Sequence, residues 1–172
     1  KHHLIDSLSA MVSGSHLLPG QKALAYAKTL GGRPEACVAG SRLTLSLVNA
    51  AMINGMLAHA DETDDAYYLA LVHPGCSVVP AALAMAERNR CNGTALLRAV
   101  VLGYDVCARI SKALGIEKFR SAAHSTHSYG GTVGAAVLLP IAARFLVRTT
   151  GLASSRLPAP TPRTPWMAGM TL

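Results

Sequence analysis

Leu45-Ser46-Leu47-Val48-Asn49-Ala50-Ala51-Met52-Ile53-Asn54-Gly55-Met56-Leu57-Ala58-His59 runs without an Asp, Glu, Lys or Arg straight into Ala60-Asp61-Glu62-Thr63-Asp64-Asp65. A stretch so rich in Ala, Leu and Met reads as a helix, and with no polar face it reads as one buried among other helices. The switch that follows is abrupt. Between His59 and His73 the chain places four of its nine acidic residues, although its formal net charge is +7. Carboxylates at a helix C-terminus oppose the helix dipole by roughly 0.3–1 kcal/mol each when exposed. Such a placement beside imidazoles points to chemistry, either a bound cation or acid/base groups held near a substrate.

Outward from this stretch the periodicity is helical almost everywhere. Leu4 to Val12 has apolar residues at helical spacing and ends at Gly14-Ser15, and Pro19-Gly20 opens a second helix from Gln21 to Leu30, stopped by Gly31-Gly32 and Pro34. Ala36 to Thr44 reads as an extended connection. Ala66 to Val72 reads as a loop or short turn, and Pro74 starts a helix that runs to about Arg88. Asn92 or Thr94 can cap a long helix from Ala95 to Leu114, whose internal Gly103 suits a close helix crossing. A polar connection to Gly130-Gly131 then precedes a last apolar helix, Thr132 to Val147. No run alternates with period two between hairpin turns, so the fold class is all-α.

Composition excludes several functions. Spanning a membrane takes about 20 apolar residues; Leu43 to Ala60 is interrupted by Asn49, Asn54 and His59, and Ala66 to Ala86 by His73, Pro74, Gly75 and Pro80. No secretory signal pattern is visible. Basic residues stand singly, or collect after Glu117 as Lys118, Arg120, Arg144, Arg148, Arg156 and Arg163, without interleaved aromatics; this argues against a nucleic-acid platform and suits a mild attraction for anionic substrates. Cys37, Cys76, Cys91 and Cys107 share no metal or redox spacing, and are expected as reduced, mostly buried thiols of a cytoplasmic protein. From Thr149 onward, Pro158, Pro160, Pro162 and Pro165 sit among Ser, Thr and Arg, so residues 149–172 are expected to be a disordered tail after a domain of residues 1–148.

Four ordered motifs carry a resemblance. Asn54-Gly55 through His59 to Glu62-Thr63-Asp64-Asp65, then His73-Pro74-Gly75 with Val78-Val79-Pro80-Ala81, then Gly103-Tyr104-Asp105-Val106 with Arg109-Ile110, then His124-Ser125-Thr126 through Gly134-Ala135-Ala136 together resemble the MmgE/PrpD family. That family includes 2-methylcitrate dehydratase, cis-aconitate decarboxylase and iminodisuccinate epimerase. The resemblance implies the N-terminal part of a large helical domain, with the family's small α/β domain absent from this chain. It also implies further catalytic Lys and Tyr residues outside the chain, so that the chain reads as a fragment, inactive as given, of a protein that is a homodimer at full length. Departures are specific. Glu62 stands where the family has its first Asp, Thr63 where it has an aromatic residue and Ala66 where Thr is frequent, and the spacings to His73 and from His124 to Gly134 are each one residue longer.

The implied chemistry is metal-independent lyase or epimerase action on small di- or tricarboxylates, with no cofactor. Loss of water, loss of CO2 and epimerisation all break or invert a bond next to a carboxylate, and each needs an acid/base group and positive charge for the substrate. His73, placed at a helix start, is the first candidate acid/base, with Glu62 and Asp61 as further catalytic candidates; the bland alternative is a histidine that only hydrogen-bonds its loop. Asp64, Asp65, His124 and His127 are candidate substrate-binding residues, and loop-stabilising roles remain open for each. His59 is expected to orient the acidic loop. Two readings from other classes stay open: a metal enzyme using His59, Asp61, Glu62, Asp65 and His73, and a non-catalytic helical interaction module.

Overall fold

A computed structural model describes residues 1–115, 117, 121 and 125–138, without the side chains of 126 and 127. Six α-helices lie among them: α1 (His2–His16), α2 (Leu18–Ala27), α3 (Leu47–Ala60), α4 (Gly75–Arg88), α5 (Gly93–Leu114) and α6 (Thr126–Ala136). The chain is mostly helical. The expected extended connection folds back on itself as a two-stranded antiparallel ribbon, β1 (Ala36–Cys37) and β2 (Thr44–Leu45), paired Ala36 with Leu45 and Cys37 with Thr44.

The unpolar helix is the centre of the packing: α3 lies against α1, α2 and α4, and α4 in turn against α5 and α6. Ile53 and Leu57 of α3 are fully buried with Met11 of α1 and Val78 and Val79 of α4. Glu35 sets where α3 begins, because its carboxylate accepts a hydrogen bond from the first-turn Leu47 N–H at 3.1 Å and pairs with Arg88 at 3.5 Å. Pro80 then fits α3 to α4. It sits inside α4 and has no N–H to offer the Cys76 carbonyl one turn back. That carbonyl lies against Gly55 of α3, where a Cβ would come within 2.9 Å.

Two boundaries differ from expectation for a shared reason. Helix α1 continues past Gly14 to His16, with Gly14 on its buried face. Helix α6 starts at Thr126, through Gly130-Gly131 rather than after them. Both glycines of that pair are buried, and Gly130 and Gly134 lie on Ser111 and Cys107 of α5. Glycines read as breaks are therefore points of helix contact. The expected Val147 end of the last helix and the boundary at residue 148 lie outside the described residues.

One side of α3 is uncovered. Val48, Met52 and Met56, four residues apart, are 71%, 40% and 46% exposed, and Tyr68 and Leu69 of the following loop are exposed too. The expectation that this segment is buried on all sides thus fails for its outer stripe, which is the kind of apolar surface normally covered by other protein. Light scattering on residues 1–172 is expected to give a species larger than one chain. A stable monomer of 17.9 kDa would contradict this.

Candidate functional site

The acidic loop turns back on itself between α3 and α4. Tyr67 and Val72 form a bridge, closed by a 2.8 Å bond from Tyr67 N–H to the Val72 carbonyl, with one turn of 3-10 helix at Tyr68–Ala70 inside it and Leu71 in the left-handed region at φ 45°. The fold-back brings His73 onto Asp64. His73 Nδ1 lies 3.4 Å from Asp64 Oδ1, with the histidine side chain 24% exposed and the aspartate side chain 0% exposed. Neither Asp64 oxygen accepts a hydrogen bond among the described residues. A carboxylate so placed is costly unless a positive group neutralises it, and His73 is the group in reach.

His59, in the last turn of α3, completes the entrance. Its ring centroid lies 6.1 Å from that of His73, and its Nε2 is 3.7 Å from Glu62 Oε1. Glu62 has φ 55° and an exposed side chain, so its carboxylate reaches the rim rather than the interior. Asp61 is the C-cap residue of α3.

Asp65 faces the opposite way, into the start of α4. Its Oδ1 accepts the Gly75 N–H at 2.9 Å and its Oδ2 lies 3.4 Å from His3 Nδ1. The positive end of α4 is thus already met by a carboxylate of the chain itself. Burial pushes the Asp65 carboxyl above its usual range, offset in part by the neighbouring Tyr104 hydroxyl, the Gly75 N–H and His3. Tyr104 OH stops short of hydrogen-bond geometry; burial and the Asp65 charge push its own pKa strongly upward. These groups converge because residue 75 has no side chain: a Cβ there would collide with Asp65 Oδ1 and come within 2.5 Å of Ser7 Oγ and 3.0 Å of Tyr104 OH. Gly75→Ala is expected to cost about 1–3 kcal/mol in thermal unfolding, the range for overpacking a tight site. An unchanged midpoint would show that the cluster yields freely.

Cys76 adds a thiol. His59, Asp64 and Cys76 each present a ligand atom, all within 4.8 Å of one another. Burial, then the Asp64 charge, push the Cys76 thiol up to about 12, and its Sγ donates to the His73 carbonyl at 3.2 Å. Of the ligands expected for a metal enzyme only His59 is in this group; Asp61, Glu62, Asp65 and His73 are not.

The structure therefore sorts the candidates. His73, Asp64 and His59 come together, with Glu62 on their rim; Asp64 and Asp65, grouped in sequence with substrate binding, are turned inward behind His73 and Gly75. His124 lies outside the described residues, and His127 falls in α6 with its side chain undescribed. Sequence reading missed Cys76, Ser7, His3 and the Tyr104 hydroxyl, although Tyr104 lies inside a quoted motif. The expectation of mostly buried thiols holds for Cys107, whereas Cys37 is exposed and Cys76 and Cys91 are half-buried. No described helix is long and apolar enough to cross a membrane.

Among protein families, the model described as the MmgE/PrpD N-terminal domain matches residues 1–160. No curated protein matches the chain.

Proposed function

The chain belongs to the MmgE/PrpD family, a family of dehydratases and decarboxylases, and from this premise we propose that it carries the acid/base half of a metal-independent lyase or epimerase acting on small di- or tricarboxylates of the 2-methylcitrate kind. One observation carries the reading: a partly exposed imidazole held at 3.4 Å by a carboxylate that is itself out of solvent. Nδ1 is among the buried atoms, so the exposed surface of the ring belongs to its other atoms. Proton transfer then runs through Nε2, with Asp64 stabilising the imidazolium as it forms.

In a dehydration, His73 takes the proton from the carbon next to a carboxylate, the C–H electron pair becomes the C=C bond, and the neighbouring hydroxyl leaves as water with the proton handed on by the imidazolium. In a decarboxylation the electrons come from the C–CO2 bond, and His73 returns a proton to carbon. Epimerisation is removal and return on opposite faces. All three place Asp64 as a positioning residue and leave the rim, His59 with Glu62, to meet substrate. The assay is turnover of citrate-like acids by the intact enzyme that contains this domain, scored for alkene, CO2 or inverted product. Absence of all three activities would sink the proposal.

A further inference from the structure

We infer that His59, Asp64 and Cys76 form a binding site for one thiophilic divalent cation of the Zn2+ class. Three observations converge. The ligand atoms lie within 4.8 Å of one another although they come from the end of α3, the acidic loop and the start of α4. The Asp64 carboxylate is wholly buried; its Oδ1 has the 3.4 Å contact with His73 but neither oxygen accepts a hydrogen bond among the described residues, so a cation would satisfy what that contact leaves unmet. His59 is half exposed at the rim, which supplies a way in.

The donor set selects the metal. One nitrogen, one carboxylate oxygen and one sulfur suit zinc, cobalt or cadmium, whereas magnesium and calcium require oxygen ligands. Zinc bonds of about 2.0–2.3 Å in a tetrahedron place ligand atoms roughly 3.3–3.7 Å apart. A contraction of about 1 Å, within the reach of side-chain rotation, closes the trio. Asp64 and a Cys76 thiolate would together neutralise a divalent charge, with the thiol proton released to solvent as the metal binds. The site shares Asp64 with the acid/base pair proposed above. On that reading the cation acts as an inhibitor, because it withdraws the carboxylate from His73.

Cobalt(II) titration of the chain tests the site without passing through turnover, so failure of the site and failure of the proposed activity are separate results. One equivalent is expected to produce thiolate-to-cobalt charge-transfer absorption, abolished by Zn2+ and untouched by excess Mg2+. Cys76→Ser should remove the band, and His59→Gln, at a half-exposed position that folding tolerates, should weaken cobalt binding at least about 10-fold, the lower bound for loss of even a supporting contact. Cys37→Ser and Cys91→Ser should leave it intact. No band in the parent chain, a band lost with Cys37 or Cys91 instead, or an unchanged affinity in His59→Gln would each overturn the inference.

Discussion

Replacing His73 with Ala in the intact enzyme is expected to lower turnover by about 100-fold or more, the loss typical of a positioned general acid/base, and added chelator should not lower it further. The magnitude follows from what is removed. His73 is the ionisable group that both faces the opening and has a buried counter-charge, 3.4 Å away. His59 and Glu62, by contrast, are 50% and 70% exposed and lie 3.7 Å apart at the rim. Glu62→Gln should therefore cost less than His73→Ala. Unchanged turnover in His73→Ala, or activity in chelator restored only by metal, would remove His73 from the chemistry.

The second large effect concerns stability. Asn54 is 3% exposed and joins the β-ribbon to α3 by two bonds: its Nδ2 donates to the Cys37 carbonyl at 2.9 Å and its Oδ1 accepts from the Ala39 N–H at 2.9 Å. Asn54→Ala leaves both backbone groups without a partner. At roughly 1–3 kcal/mol for each orphaned group the two sum to about 2–6 kcal/mol, towards the lower end because Cys37 is exposed and Ala39 half-buried so that water can reach both, and still a large share of the 5–15 kcal/mol that holds a typical domain. Asn49→Ala is the comparison, because the bond from Asn49 to the Gly31 carbonyl is exposed to water and the variant should stay within about 0.5 kcal/mol of the parent. Equal urea midpoints for the two variants would show that Asn54 has no such role.

How far this was legible depends on whether the signal is local. Helix α3 was readable because an uncharged run has one stable environment, and α5 because Asn92 caps it, its side chain accepting from Ala95 N–H at 3.0 Å. Gly14 and Gly130-Gly131 misled because a glycine that ends a helix and a glycine that lets another helix approach look alike in one dimension. At the site, His73 and the acidic cluster stood out by spacing. Which carboxylate turns inward did not: that is decided by the fold-back at Leu71, a left-handed position held by a residue with no local preference for it. Cys76, Ser7, His3 and Tyr104 join the site from α4, α1 and α5, across separations that no periodicity records. The role of Asn54-Gly55 was equally hidden, although both residues were quoted as a motif, because their partners are the Cys37, Ala39 and Cys76 backbone.

The central claim is that His73 and Asp64 work as one unit, and a double-mutant cycle on turnover tests it most directly. Asp64→Asn should slow the reaction by about 10-fold or more while leaving the fold in place, as measured by circular dichroism. The double variant Asp64→Asn/His73→Ala should be no slower than His73→Ala alone, since groups that act together lose their joint effect once. Losses that multiply, or an Asp64→Asn enzyme as fast as the parent, would contradict the account.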